Sequence, residues 1–199
     1  MSRIKPVLAA ALLGAAVVTA GAQPRPASTT APLSAQLQAA GSESVFVTRQ
    51  MGVPVEGRFG RFSAQIALDP KQPQAGSVAF SIDTGSARFG SPETDREVPK
   101  PEWLSVAQFP QATFQSTTIK AVGPGRLDVS GKLAIKGNVR DVTVPVQVTQ
   151  GGGISTATGT FTIKRLEFKV GEGEWADTSI VANDVQVRFR LQVAGLAPL

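Results

Sequence analysis

Apolar and polar residues alternate along most of this chain with a period of two. Leu127, Val129, Gly131, Leu133 and Ile135 share one parity, while Arg126, Asp128, Ser130, Lys132 and Lys136 hold the other. That pattern is a strand with one dry face and one wet face. Val142, Val144, Val146 and Val148 repeat it after Lys136-Gly137-Asn138, where Gly and Asn supply turn chemistry. Pro145 sits on the opposite parity, which marks an edge position or a local irregularity. Val78, Phe80 and Ile82 form a further strand. So do Val185, Val187, Phe189, Leu191 and Val193, with Gln186, Arg188, Arg190 and Gln192 on the wet face.

Two segments change parity midway. From Val55 to Phe59 the apolar residues are odd-numbered, whereas Phe62, Ala64, Ile66 and Leu68 are even-numbered, with Gly60 at the switch. Phe161 and Ile163 give way to Leu166 and Phe168 around Lys164-Arg165 in the same manner. A β-bulge at each switch keeps both sets facing inward and bends a sheet towards closure. As one strand, Val55 to Asp69 would run roughly 50 Å at about 3.3 Å per residue. Ser91 to Lys100 is charged and punctuated by proline. Pro101 to Ala107 then reads as one or two helical turns, stopped by Phe109-Pro110, with Trp103, Leu104 and Phe109 placed to plug one end of a barrel. Strands are expected near 44–50, 55–69, 77–83, 112–120, 126–136, 140–149, 156–169 and 184–195. The predicted fold is all-β: an eight-stranded antiparallel barrel with a short helix in one loop, a size that holds one small ligand.

The first residues do not share this pattern. Arg3 and Lys5 precede the apolar run Val7 to Val18, and Ala20-Gly21-Ala22 offers a small-x-small cleavage site, so residues 1–22 are read as a signal peptide. Residues 23–39, opening with the Pro/Ser/Thr-rich stretch Gln23 to Pro32, are read as a flexible leader, and 40–196 as the folded domain. The chain has 199 residues, no His, no Cys and no Tyr. Ser-His-Asp and Cys-His catalysis, zinc fingers and disulfides are thereby excluded, and no cofactor is expected. Export with zero cysteine fits a periplasmic location. The formal charge of +5 is mild, and no basic-aromatic interleaving points to nucleic acid. Glu93 and Asp95 share a loop without a nearby aromatic sugar platform, which gives a glycosidase little support.

Several phrases, in order, resemble the YceI family. Gly52-Val53-Pro54-Val55-Glu56-Gly57-Arg58-Phe59 with Phe62 and Ile66 resembles the family's entry hairpin. Ser81-Ile82-Asp83-Thr84-Gly85-Ser86-Ala87 resembles its strand into a small-residue turn, followed by the acidic Asp95. Trp103-Leu104 through Phe109-Pro110-Gln111-Ala112-Thr113-Phe114 with Ser116 is the most specific piece. Val129-Ser130-Gly131-Lys132-Leu133-Ala134-Ile135-Lys136-Gly137, with Val142 and Pro145, resembles a later hairpin. The likeness spans about residues 40 to 195. One departure is that family members often carry a His near the first strand and another near the ligand region, and this chain has none.

The resemblance implies a lipocalin-like barrel that binds an isoprenoid lipid, of polyprenyl or quinone type, without catalysis. It also implies a homodimer and, for some relatives, a membrane cytochrome b partner. Inward parity then nominates Phe46, Phe59, Phe62, Ile66, Phe80, Ile82, Phe114, Leu133, Ile163, Phe168 and Phe189 as ligand-lining residues. Each serves equally well as plain core packing. Phe80 and Phe114 lead the set because they flank the loop that could gate the opening. Asp95, Arg96 and Lys100 are candidates for a head group or simply a solvated loop. Arg165 is an inward charge or an edge gatekeeper. Asp177 and Asp184 suit turn chemistry, and Trp175 suits a lid over a barrel end. The rival reading is an exported interaction barrel, its core filled by its own side chains, docking a membrane or periplasmic partner.

Overall fold

A computed structural model describes residues 34–199. The leader readings for residues 1–33 lie outside the described residues. Among the described residues ten strands form one antiparallel sheet: β1 (Ser34–Gln50), β2 (Val53–Phe59), β3 (Phe62–Ala67), β4 (Ser77–Asp83), β5 (Ala87–Arg88), β6 (Gln111–Gly123), β7 (Arg126–Ile135), β8 (Asn138–Gly151), β9 (Ile154–Lys164) and β10 (Asp184–Ala194). The sheet closes because β1 pairs with β10 on one side and with both β2 and β3 on the other. Strands β2 and β3 are one stave broken at Gly60-Arg61. Strands β4 and β5 are another, broken at a 3₁₀ turn over Thr84–Ser86. Counted as staves, the closed antiparallel barrel has eight.

The two breaks are matched across adjacent staves. Gly60 N–H donates to the Ser86 carbonyl, Asp83 N–H donates to the Arg61 carbonyl, and Arg61 N–H donates to Ser86 Oγ. The parity switch at Gly60 is thus an interruption shared by two strands, and each of these freed backbone groups finds a partner. Strand β1 is itself irregular between Gln38 and Glu43. It starts at Ser34, so residues 34–39 belong to a strand and not to the flexible leader assigned to them. Their pairing with Gln65–Ala67 and with β10 accounts for this.

Two further expectations are corrected and a third is met. The strand expected over 156–169 ends at Lys164, and Arg165–Phe168 forms a 3₁₀ turn closed by Lys169 at φ +56°. The short helix is α1 (Pro92–Glu97), not Pro101–Ala107, which is a run of turns. Ser91 caps α1, Pro92 occupies its first turn, and Glu93 and Asp95 lie at its positive end, a complete start signal. Pro145 takes the edge position expected of it, inside β8 but one residue before the β8–β9 ladder begins at Val146↔Gly159. From there to the loop-bearing end, β8 pairs with β7 alone, and the 165–168 turn lies against it.

One end of the barrel carries the two-residue turns after β6 and β8 and the longer 68–76 connection after β3, which includes a 3₁₀ turn at Pro73–Ala75. The other carries the 84–110 and 165–183 segments. The core cluster of Ile66, Leu68, Ile119, Leu127, Val148 and Val193 fills the hairpin end, with Ile119 and Val193 each 1% exposed.

Candidate functional site

Period-two alternation on a closed sheet sends one set of side chains into the lumen, and here that set is apolar. The lumen holds two chambers, of about 170 Å³ at the loop end and about 160 Å³ at the hairpin end. Phe80, Ile82, Phe114, Leu133, Phe161 and Val187 line both and form the waist between them. Apart from the Trp103 indole, polar side chains on these linings are confined to Ser44, Thr48, Thr84, Thr113 and Arg165. Among the described residues no carboxylate faces either chamber.

Irregular chain roofs the loop-end chamber. Phe89, Val98, Trp103 and Leu104 come from the 84–110 segment, and Phe168, Val170 and Val181 from the 165–183 segment. Arg165 holds the second segment together. The residue is 2% exposed, and its five side-chain N–H groups all donate to main-chain carbonyls. Nε reaches Ala182 at 3.0 Å, Nη1 reaches Val170 at 2.9 Å and Gly171 at 2.8 Å, and Nη2 reaches Trp175 at 2.6 Å and Val181 at 2.7 Å. Among the described residues no carboxylate pairs with it. Burial pulls its pKa below the ordinary guanidinium value. The indoles of Trp103 and Trp175 meet at 5.5 Å, and Phe46 packs against Phe59 at 4.9 Å and Phe89 at 5.1 Å. Trp103 Nε1 and Thr48 Oγ1, both on residues of this chamber, are buried and find no hydrogen-bond partner within the protein.

The expected lining residues sort clearly. Phe46, Phe59, Ile163 and Phe168 border the loop-end chamber, Ile66 and Phe189 the hairpin-end chamber, and Phe80, Ile82, Phe114 and Leu133 both. Phe62 lines neither chamber. It packs its ring on Phe80 at 5.5 Å and borders shallow outer grooves, because the break at Gly60-Arg61 displaces the start of β3. Trp103 and Leu104 roof the loop-end chamber as a plug would, whereas Phe109 packs near Gly137 in the β7–β8 turn. Phe161 and Val187 carried an inward-parity signal and belong with the waist. Phe89 and Val98, from irregular chain, carried none.

Most polar candidates have structural duties. Asp95 Oδ1 accepts from Phe89 N–H at 2.7 Å, tying α1 to the chain just after β5, and Lys100 pairs with Glu97. Asp177 Oδ1 accepts from Ser179 N–H and Oγ, and Asp184 pairs with Lys164 at 3.2 Å. Arg165 is the inward charge of the two alternatives.

This lumen belongs to a recognisable lineage. The YceI-like domain model matches residues 36–193, which runs from β1 to β10. The chain belongs to the YceI family. Proteins named YceI from Salmonella arizonae and Salmonella newport are 37% identical over 92 residues, covering 46% of this chain and 48% of theirs, so the match spans about half the length of these curated relatives. Among solved structures, BcnA of Burkholderia cenocepacia superposes with a TM-score of 0.76 at 44% identity, covering 78% of this chain and 98% of that one. A polyisoprenoid binding domain from Saccharophagus degradans, implicated in plant cell wall breakdown, gives a TM-score of 0.68 at 20% identity, over 82% of this chain and 99% of that one. A Campylobacter jejuni YceI protein gives 0.62 at 19%, over 72% and 86%. The last two show the shared barrel of the YceI fold.

Proposed function

We propose that this YceI-family barrel is a periplasmic carrier that encloses an isoprenoid lipid, of polyprenyl or quinone type, without catalysing a reaction on it. The observation that carries the reading is the lumen itself: two apolar chambers along a closed barrel that share a waist of apolar side chains. Each chamber alone is smaller than the roughly 300–1,000 Å³ of a compact drug-sized pocket. A slender chain running through both suits the space better than a compact molecule in one. An isoprenoid in water exposes apolar carbon along its length, and each CH₂-sized unit buried is worth about 0.8 kcal/mol. The polyisoprenoid binding domain with the same fold supports this ligand class. With no carboxylate on the chamber walls, and no His or Cys in the chain, the lumen offers binding but no acid–base pair.

The loop end is where a head group belongs. Trp103 Nε1 is a donor without an acceptor, Thr48 Oγ1 is likewise unpartnered, and the Arg165 charge sits beside the same chamber without a counter-ion. A carbonyl or phosphate oxygen at that end would accept from Trp103 Nε1 and Thr48 Oγ1 and lie in the field of the Arg165 charge, whose own N–H groups are already taken by main-chain carbonyls, while the tail occupies the hairpin-end chamber. The first experiment is native mass spectrometry of protein exported from a bacterial host, followed by solvent extraction and lipid identification, with thermal melts in added prenol. A bound prenyl or quinone mass, or a concentration-dependent rise in Tm, is the expected result. An empty barrel indifferent to prenols would sink the reading in favour of a side-chain-filled barrel docking a protein partner.

A further inference from the structure

Three glycines occupy inward positions in the barrel wall, at three levels along the lumen. Gly57 on β2 is paired with Phe46 on β1, at the loop-end chamber. Gly131 on β7 stands diagonal to Phe114 on β6, at the waist, and Gly159 on β9 is paired with Phe189 on β10, at the hairpin-end chamber. None of the three is needed for a left-handed backbone, since none has a positive φ. What each lacks is a Cβ, and in each case a phenylalanine ring occupies its place. A Cβ on Gly57 would lie within 3.0 Å of three atoms of the Phe46 ring and of nothing else that close. On Gly131 it would come within 2.6 and 2.7 Å of the Phe114 ring, and on Gly159 within 2.7 Å of the Phe189 ring. Real Cβ atoms do not approach ring carbons at these distances. The rings therefore lie sideways on the wall, over a neighbouring strand, instead of standing into the lumen.

Glycine inside a strand is otherwise a loss, because it adds backbone entropy and packs nothing. Three of them, each beneath a lumen-lining ring and one per level, have a common consequence: the space that the rings would fill stays open. We propose that Gly57, Gly131 and Gly159 are the specificity-determining residues of this lumen. By letting Phe46, Phe114 and Phe189 lie against the wall, they set a narrow continuous bore that admits a single slender apolar chain. The inference rests on the carrier reading for the identity of the chain, but the role of the glycines in shaping the bore does not.

Gly57 gives the clean test, because the nearest atoms to its missing Cβ all belong to the ring, whereas Cβ atoms on Gly131 and Gly159 would also strike the main-chain oxygens of Gln115 and Pro145. In Gly57→Ala the added methyl must push the Phe46 ring off the wall and into the loop-end chamber. Binding of geranylgeraniol, followed by the fluorescence of Trp103 and Trp175, should weaken by roughly tenfold or more, the effect of one misplaced methyl in an apolar pocket. The double variant Gly57→Ala/Phe46→Leu removes the ring that clashes and should recover most of that loss. A crystal structure of Gly57→Ala should show the Phe46 ring turned into the lumen. Unchanged prenol binding by Gly57→Ala, or a double variant as weak as the single, overturns the proposal. If Gly57→Ala does not fold, a folded and binding double variant supports the ring clash, and an unfolded one overturns it. If the unsubstituted protein binds no prenol, the carrier reading falls. The glycine role is then decided by the crystal structure alone: a displaced ring supports it and an undisturbed ring refutes it.

Discussion

At the hairpin end the interior is closed by strand side chains, with Ile119, Leu127, Val148 and Val193 meeting across the barrel as an apolar cluster. At the loop end it is closed by irregular chain, and what holds that chain is polar: Arg165 with five carbonyl acceptors, Ser86 and Thr84 at the matched stave break, and Asp95 beneath Phe89. The two chambers have nearly equal volume, yet they are built by different physics. Apolar packing tolerates small changes of shape gradually, because its energy is spread over many weak contacts. A buried charge satisfied by five directed hydrogen bonds does not, because every acceptor is left unpaired when the donor goes. A carrier of the kind proposed would gain from having one end closed by strand packing and one end closed by irregular chain.

The largest expected effect tests that contrast directly. Arg165→Met keeps much of the side-chain bulk but strands the carbonyls of Val170, Gly171, Trp175, Val181 and Ala182, and should cost roughly 3–5 kcal/mol in urea denaturation. Hydrogen exchange should accelerate over 165–182 while Ile119 and Val193 stay protected. A uniform acceleration would show that the two ends are not separate units. Arg165→Lys should rescue little, because one ammonium cannot reproduce the planar fork.

Next comes the hairpin end. Ile119→Ala removes a side chain on a residue that is 1% exposed and should cost roughly 2–4 kcal/mol by the same measurement. It enlarges the hairpin-end chamber and leaves the loop-end exchange pattern unaltered. Loss of protection over 165–182 in this variant would break the comparison from the other side.

The smallest effect is that of acid. The Arg61 guanidinium that donates to Asp83 holds its carboxyl below the usual carboxylate range. Lys136 does the same for Glu172, and Ser179 for Asp177. These groups bind protons less readily folded than unfolded, so the stability they add is present above the ordinary carboxylate values and is lost as pH falls through the lower folded ones. With no His in the chain, melting temperature should stay flat from about pH 8 to about pH 5 and fall below about pH 4. All three carboxylates lie at the loop end or at the stave break beside it. The fluorescence of Trp103 and Trp175 should therefore change before the far-ultraviolet circular dichroism does. Simultaneous loss of both signals would place the acid-sensitive contacts elsewhere.

The strands were legible because period-two alternation reports directly on a two-faced sheet. Leu127 to Ile135 and Val185 to Val193 show it most plainly, and both became strands whose inward residues line the lumen. Ten of the eleven nominated lining residues face a chamber for the same reason, and Phe62 fails because the stave breaks just before it. The helix at Pro92–Glu97 was written in Ser91-Pro92-Glu93 but was masked by its lack of an apolar face. The 165–168 turn could not be read from parity at all, since a bulge and a strand end leave the same shift of apolar positions.

Sequence alone determined the class of fold, the identity of the dry face and the exclusion of His- and Cys-based chemistry, because periodicity and composition are local properties. Which residues close the barrel, that Arg165 turns inward to gather five carbonyls, and that Gly57, Gly131 and Gly159 lie under three rings were decided only in three dimensions. Each depends on which strand lies beside which and in what register, and register is a relation between distant segments that no local pattern records.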